Sequence, residues 1–336
     1  MRILVTGGAG YVGSHCLRAL CDAGHEAAVF DSLLNGHREA VDKRAQLVVG
    51  DLADAVLLDR TLGQGRFDAV MHFAALAEVG ESVRDPLRYY RNNVVNSVAL
   101  LDAMQRHKVT RFIFSSSCAV YGVPVKVPIT EDNPKSPINP YGRTKLVIEW
   151  LLEDAATAWG LGATALRYFN AAGASADGAI GEDHHPESHL IPRVLQVALG
   201  QADQVTIFGD DYPTRDGTCV RDYIHVEDLA SIHRLAVERQ EAGRFEAYNV
   251  GTGVGVSVLE VVEAARKVTG HDIPAQVAPR RPGDPPELVA QATAIRSRFA
   301  WQAKYTDIGR TIETAWNWHR SRPDGYAKDV SRAPRT

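Results

Sequence analysis

The chain has few cysteines and no excess of positive charge, which narrows the classes of protein to which it can belong. Its 336 residues include 4 cysteines, and their spacing fits neither a metal site nor a disulfide framework, so we expect reduced thiols. The formal net charge is −4. A chain without a basic surface gives no indication of nucleic acid binding, and we expect no such partner.

Long hydrophobic runs, internal repeats and low-complexity segments are missing as well. No apolar stretch is long enough to span a membrane, so no membrane partner is expected. The chain opens directly into a short hydrophobic strand rather than a signal peptide. Together with the reduced thiols, this predicts a cytoplasmic location.

The amino terminus carries a glycine-rich turn between a strand and a helix. Residues 1–5 predict a buried strand, and Gly7, Gly10 and Gly13 follow with the spacing G-x-x-G-x-x-G. A helical pattern then covers residues 11–23. Glycines let the backbone approach a pyrophosphate, whose charge the helix N-terminus stabilises. This order predicts a dinucleotide site.

An acidic residue ends the second predicted strand, which covers residues 26–30. Asp31 stands there, 18 positions after Gly13. A carboxylate at this place accepts hydrogen bonds from the ribose hydroxyls and repels a 2′-phosphate. The expected cofactor is therefore NAD rather than NADP.

Strands alternate with helices along the first half of the chain. Further strands are predicted over 45–49, 68–74, 111–115 and 162–168, with helices over 86–107 and from about residue 141. This alternation is typical of an α/β fold with a doubly wound, Rossmann-type parallel sheet. We expect an NAD-binding domain over 1–173 with later returns near 222–253. Residues 174–336 should form mainly a smaller mixed α/β substrate lobe, where a capping box at Ser257–Glu260 begins a helix.

Three side chains, two on a predicted helix and one at a strand end, predict the chemistry. Tyr141 and Lys145 lie four residues apart, so on a helix they share one face. A nearby cation favours the phenolate and lowers the pKa of a tyrosine towards working pH. Ser117 is the last of three serines at the end of the strand predicted over 111–115. A hydroxyl there can relay a proton to the phenolate.

The chain resembles the extended short-chain dehydrogenase/reductase family, and within it the UDP-galactose (UDP-glucose) 4-epimerases, over nearly its whole length. The matching stretches are VTGGAGYVGSH (5–15), FAALAEVGES (73–82), FSSSCAVYG (114–122), NPYGRTK (139–145), LRYFNAAGA (166–174), FGDDYPTRDGTCVRDYIHVEDLA (208–230), YNVGTG (248–253) and APRRPGDPPE (278–287). The run over 208–230 and the Arg-Arg-Pro-Gly-Asp stretch are the most specific to sugar-nucleotide epimerases.

The resemblance implies an isomerase that inverts C4 of a UDP-sugar through a transient 4-keto intermediate. Tyr141 resembles the base at the sugar 4-hydroxyl, Ser117 the relay, and Lys145 the residue that holds the nicotinamide ribose. Hydride would pass from C4 to NAD⁺ and return on the other face. The family also implies a homodimer that works on UDP-glucose and UDP-galactose.

The resemblance further implies two sets of binding residues. The cofactor set is Gly7, Gly10, Tyr11, Val12, Gly13, Asp31, Asn35, Gly36, Asp51, Leu52, Phe73, Ala74, Ala75, Ala77, Asn92, Ser117, Tyr141, Lys145 and Phe169. The substrate set is Ser117, Tyr141, Asn170, His189, Leu190, Thr206, Ile207, Phe208, Arg221, Arg281, Asp284 and Leu288. Arginine suits the phosphate positions because its planar donors fit phosphate oxygens.

Three positions depart from the family pattern. Ala77 stands where many members carry a lysine, and His189 where some carry asparagine. Leu288 replaces either a tyrosine or a small residue at the sugar pocket, which leaves open a 4-epimerase of UDP-N-acetylhexosamines, UDP-pentoses or UDP-uronates. No metal is expected at His184 and His185, because the epimerase chemistry needs none and no third ligand is suitably spaced.

Rival functions have their own discriminators. A nucleotide-sugar 4,6-dehydratase would need carboxylates beside Ser117, where the chain has Cys118 and Ala119. A UDP-glucuronate decarboxylase shares the serine stretch and is opposed only by the run over 208–230. A non-catalytic NAD-sensing regulator or UDP-sugar binding module would not need Tyr141, Lys145 and Ser117 together.

Overall fold

The structure is a computed structural model, and it describes residues 1–281 and 283–326. The last ten residues of the predicted substrate lobe, 327–336, lie outside the described residues. The strands are β1 (Arg2–Thr6), β2 (Glu26–Asp31), β3 (Gln46–Val49), β4 (Ala69–His72), β5 (Arg111–Ser117), β6 (Gly162–Tyr168), β7 (Asn170–Ala172), β8 (Val205–Phe208), β9 (Val220–His225), β10 (Phe245–Val250), β11 (Gly255–Ser257), β12 (Ala275–Ala278) and β13 (Glu287–Leu288). The helices are α1 (Tyr11–Asp22), α2 (Ala55–Gly65), α3 (Val79–Arg84), α4 (Pro86–Tyr89), α5 (Asn96–Arg106), α6 (Pro140–Trp159), α7 (Leu190–Ala198), α8 (Val226–Glu238), α9 (Val258–Thr269), α10 (Thr293–Phe299) and α11 (Ile308–Ser321).

Seven parallel strands form the main sheet, in the order β10-β6-β5-β4-β1-β2-β3. The chain order reverses between β1 and β4, and this reversal is the place where ligands bind in such sheets. The predicted Rossmann-type α/β fold is therefore confirmed.

Each face of the main sheet is covered by its own hydrophobic core. On one face, helices α1, α8 and α10 pack through side chains such as Leu17, Leu229 and Phe299. On the other, α2, α5 and α6 pack through side chains such as Leu62 and Leu100. Because both faces are buried, strands such as β4 read as continuous apolar runs rather than as alternating patterns.

The smaller lobe is mixed and contains two small sheets. In one, β9 pairs with β7, β11 and β13; in the other, β8 and β12 run parallel. A third core, formed mainly by α7, α9 and α11, supports these strands. The predicted capping box is confirmed, since Ser257 and Glu260 exchange side-chain and backbone hydrogen bonds at the start of α9.

Two predicted segments are divided in the structure. The helix predicted over 86–107 consists of α4, a π-helical turn (Tyr90–Val95) and α5. Sequence periodicity does not show such a turn, because it inserts one residue into an otherwise helical pattern. The predicted return near 222–253 is also split: β10 joins the main sheet, whereas β9 belongs to the smaller lobe. The boundary at residue 173 stays a prediction.

Candidate active site

A cavity of about 1140 Å³ lies where the carboxyl ends of the main strands face the smaller lobe. It brings together nearly all residues of the two predicted sets, from Gly7 at one end to Leu288 at the other. Lys145 and Ile207 are the exceptions: Lys145 is buried behind the wall, and Ile207 is buried within β8. The cavity is large enough for both a dinucleotide and a nucleotide sugar.

The glycine loop allows a close approach of backbone segments that a side chain would block. Gly7 has φ +74°, and a Cβ atom on it would lie 2.4 Å from the backbone nitrogen of Ala74. Helix α1 starts after Gly10 with no side-chain cap and no acidic residue in its first turn. Its free N–H groups therefore fit a pyrophosphate, which supports the predicted cofactor site.

Backbone N–H groups of two neighbouring loops fix the carboxylate of Asp31. Its carboxylate accepts N–H bonds from Ala9 at 2.9 Å and from Leu33 at 2.8 Å, one on each oxygen. Carboxylate oxygens accept hydrogen bonds from ribose hydroxyls, which supports the predicted place of NAD beside Asp31. The same buried negative charge opposes a 2′-phosphate.

Helix α6 fixes the position of Tyr141. Asn139 caps the helix by accepting the N–H of Gly142 at 2.8 Å, and Pro140 occupies the first turn. Tyr141 is therefore the second residue of the helix, at the end that faces the cavity. The helical assumption behind the Tyr141–Lys145 pair is confirmed.

The three serines at the end of β5 have different partners. The Ser115 hydroxyl pairs with the hydroxyl of Tyr168, and the Ser116 hydroxyl donates to Glu149, each at 2.6 Å. Ser117 Oγ accepts the N–H of Ala119 at 3.2 Å, is hydrogen-bonded to Tyr141 and lines the cavity. Ser117 is thus the serine with hydrogen-bonding capacity left for a ligand.

Lys145 lies under Tyr141 in an apolar setting and is only 3% exposed. Its ammonium donates to the carbonyl of Ser115 at 2.8 Å and lies 5.7 Å from the centre of the Tyr141 ring. Burial lowers the pKa of Lys145 to about 7, although the carboxylate of Glu149 raises it in part.

The expected fall in the pKa of Tyr141 is not produced by the chain alone. Burial raises the pKa of Tyr141 above its ordinary value, and Tyr168 raises it further, whereas a hydrogen bond with Ser117 lowers it. Because burial has the largest effect, we expect the phenol to stay protonated in the ligand-free chain. Positive charge from a bound ligand would favour ionisation.

The substrate side combines charged and aromatic side chains that come from distant segments of the chain. Arg221 on β9 donates to Asp284, which follows the loop after β12. The guanidinium of Arg281 lies 3.9 Å from the centre of the Phe208 ring, so the arginine stacks on a cavity wall. Leu288 pairs in register with Arg221, which places it on the same wall.

The segment before α7 contains an unexpected cluster. His189 lines the cavity and contacts the buried carboxylate of Glu182 through Nδ1. His184 and Glu187 lie against the same carboxylate. The expectation that no third metal ligand is suitably spaced is therefore wrong, because the turn over 182–189 folds back on itself.

Two important residues escaped the sequence-based prediction. Asn93, on the π-helical turn, exchanges hydrogen bonds with both backbone groups of Leu76 and donates to Thr144 of α6. It therefore connects a cavity loop to the helix that carries Tyr141. Glu78 lines the cavity and accepts the hydroxyl of Ser188 at 2.8 Å across the two lobes. Asn93 lies outside the stretches that match the family, and Glu78 lies inside one of them, over 73–82, without having been singled out.

This fold and this cavity define an NAD-dependent enzyme of the α/β class. The profile of the NAD dependent epimerase/dehydratase family matches residues 3–251. The chain belongs to that family.

The chain is similar to several UDP-glucose 4-epimerases. It is 51% identical to the UDP-glucose 4-epimerase of Lactobacillus helveticus over 97% of this chain and 99% of the relative. The UDP-glucose 4-epimerase of Brucella ovis, solved in complex with NAD, has a TM-score of 0.90 at 48% identity over 94% and 97% of the two chains. That of Bifidobacterium longum, in complex with NAD⁺ and UDP, has a TM-score of 0.93 at 39% identity over 97% and 100%.

The particular activity follows from these similarities. The chain is an isomerase that uses NAD and inverts UDP-glucose at C4, as its relatives do. The alternatives, from epimerases of other UDP-sugars to a non-catalytic regulator, are not favoured. Across the described residues, no helix combines the length and apolar character needed to cross a membrane.

Proposed function

We propose that Tyr141, Ser117 and Lys145 carry out the epimerisation at one end of the cavity. Tyr141 removes the proton from the sugar 4-hydroxyl and later returns it. Ser117 bridges that hydroxyl to the phenol, since its own hydroxyl can donate and accept. Lys145 holds the cofactor ribose from behind the wall, and its protonated form adds positive charge near the phenol. These are the three side chains whose geometry fits the chemistry.

NAD is held by the glycine loop, the uncapped start of α1 and Asp31. NAD⁺, when bound there, would supply a reversible hydride acceptor for sugar C4, so that the 4-keto sugar can be reduced again from its opposite face. The chain contributes a setting that excludes much of the water, because Lys145 is buried and Tyr141 is half-buried. It also contributes the base, whose ionisation is favoured by a nearby positive charge.

The UDP part of the substrate occupies the opposite end of the cavity. We assign its diphosphate to Asn170, Arg221 and Arg281 and its nucleoside to the remaining substrate residues. Those lining residues are His189, Leu190, Thr206, Phe208 and Asp284, with Leu288 at the sugar. Arginine donors suit this task because hydrogen bonds between charged partners are about twice as strong as neutral ones. Ile207 supports the wall from inside.

The observation that carries this proposal is that Ser117 and Tyr141 both line the cavity, with the buried Lys145 behind them. Incubation of the purified protein with UDP-galactose and no added NAD should give UDP-glucose, followed by NMR. Product without added cofactor indicates retained NAD. Tyr141→Phe should lower turnover by at least about a hundredfold, the scale of losing general base catalysis. Near-wild-type turnover in that variant would overturn the proposed role.

We also propose a cytoplasmic homodimer. Leu87, Val95 and Val98 are exposed apolar side chains along the helical segment 86–106, and Trp150 is exposed on the neighbouring α6. Such a patch is typical of an interface. The cytoplasmic location has separate support, because the four free thiols fit a reducing compartment. In light scattering, Val98→Glu should shift the mass towards a monomer, whereas Val56→Glu on α2 should not. Equal masses would contradict the interface.

A further inference from the structure

Four side chains of one short segment converge beside the substrate end of the cavity, and one of them, His189, also lines it. Glu182, His184, Glu187 and His189 lie between β7 and α7. One donor atom from each, a carboxylate oxygen or an imidazole nitrogen, lies within 4.8 Å of the other three. Convergence of four potential ligands from eight consecutive residues is a local property of this turn.

The distances within the cluster fit a single small cation. His184 Nδ1 lies 3.3 Å from the Glu182 carboxylate and 3.7 Å from that of Glu187. Ligands at about 2.0–2.2 Å from a tetrahedral zinc ion are separated by roughly 3.3 Å from one another. His189 Nδ1 contacts the same Glu182 oxygen more closely, so that pair would have to open slightly around an ion.

Burial and charge favour a cation at this place. The side chains of Glu182 and Glu187 are only 4% and 6% exposed. Two buried carboxylates need compensating positive charge. In addition, Nδ1 of His184 is buried and, within the part of the chain that the structure describes, has no hydrogen-bond partner. His184 Nδ1 is in ion-pair contact with both carboxylates but forms no well-directed hydrogen bond with either, an arrangement that suits groups turned towards a shared ion.

The surroundings orient one ligand oxygen towards the cluster. Glu187 Oε1 accepts the backbone N–H groups of Ser188 at 2.7 Å and His189 at 2.8 Å. The other oxygen, Oε2, is the one that faces His184. Such outer hydrogen bonds are typical of metal sites, where they fix the direction of the ligands.

We propose that Glu182, His184, Glu187 and His189 bind one divalent first-row transition cation, with Zn²⁺ as the best fit. Two imidazole nitrogens disfavour Mg²⁺ and Ca²⁺, which prefer oxygen ligands. Four protein ligands leave no open position, so the site is structural rather than catalytic. This inference does not depend on the roles proposed for Tyr141, Ser117 and Lys145.

The ion would fix one wall of the substrate cavity. The segment leads directly into α7, whose first residue, Leu190, lines the cavity. Ser188, inside the same segment, donates its hydroxyl to Glu78 of the cofactor side at 2.8 Å. A metal at this turn therefore holds the position at which the two lobes touch.

The test uses tag-free protein, depleted with a chelator and titrated with Zn²⁺ and Co²⁺. Wild type should bind one Zn²⁺ per chain by elemental analysis, and Co²⁺ should give the intense visible bands of tetrahedral coordination. Glu182→Gln and His184→Gln should weaken Zn²⁺ binding by at least about tenfold, since even outer-sphere changes cost that much. The matched control is His185→Gln, which alters the exposed neighbouring histidine outside the cluster.

Thermal unfolding gives a readout independent of occupancy. Zn²⁺ should raise the Tm of wild type and His185→Gln but not of His184→Gln, because only proteins that bind the ion are stabilised by it. If the buried Glu182→Gln variant does not fold, the half-exposed His184→Gln decides the question. Less than stoichiometric Zn²⁺, or equal affinity in wild type and His184→Gln, overturns the proposal.

Discussion

The cofactor side and the substrate side of the cavity are built in different ways. On the cofactor side, backbone groups form most of the site. They are a glycine loop, the uncapped start of a helix, and two N–H groups that fix a carboxylate. On the substrate side, charged side chains from distant segments pair with one another, as Arg221 does with Asp284. The cofactor side is thus shaped before binding, whereas the substrate side has to exchange internal partners for ligand contacts.

A methyl group on the glycine loop should break the cofactor side and have the largest effect. Gly7→Ala places a Cβ atom 2.4 Å from the nitrogen of Ala74, a clash with backbone that cannot move aside cheaply. We expect the purified variant to lose its retained NAD, measured by release and chromatography. Turnover should fall by at least about a hundredfold.

Gly24 provides a matched control for this change. It has φ +79°, close to that of Gly7, but a Cβ atom there would meet nothing within 4 Å. Gly24→Ala should cost about 1–2 kcal/mol of unfolding free energy from the left-handed backbone alone and leave NAD content unchanged. Equal loss of NAD in both variants would show that backbone strain, and not the close approach, is responsible.

Neighbouring arginines test the substrate side, where the effect should be smaller. Arg281 stacks on Phe208 in the cavity, whereas Arg280 stacks on Tyr212 and pairs with Asp211 outside it. A lost hydrogen bond to a charged group is worth about 1.5–3 kcal/mol. Arg281→Ala should therefore raise the KM for UDP-galactose about tenfold to a hundredfold with little change in kcat, while NAD content stays constant.

Arg280→Ala is the control, and its KM should stay within about twofold of wild type. A large fall in kcat with unchanged KM in Arg281→Ala would instead mean that Arg281 acts on the transition state. That result would contradict its assignment to the diphosphate.

The cofactor side was also the easier one to predict from the sequence. The order of strand, glycines, helix and Asp31 is local, and the structure reproduces it with shifts of one residue at the element ends. The substrate residues were found only through resemblance, because their pairing depends on contacts such as Leu288 with Arg221 in adjacent strands. A single sequence does not show which distant segments will meet.

The features that could not be predicted share one physical cause. The π-helical turn carrying Asn93 and the turn that brings His189 to Glu182 are irregular, so no hydrophobic period reports them. The effect of burial on the pKa of Tyr141 could not be predicted for a related reason. Spacing shows that Lys145 is near, but only the packed structure shows that burial raises the pKa of Tyr141 in the ligand-free chain.

The central claim is that Tyr141 loses its proton only when a ligand brings positive charge to its buried site. A pH titration of the phenolate absorbance, taken as wild type minus Tyr141→Phe, measures this directly in NAD-depleted and NAD⁺-bound protein. Without NAD⁺ the midpoint should lie above the ordinary value of about 10, and with NAD⁺ it should fall by at least about two pH units. A midpoint near neutrality in the depleted protein, or equal midpoints in both forms, would contradict the account.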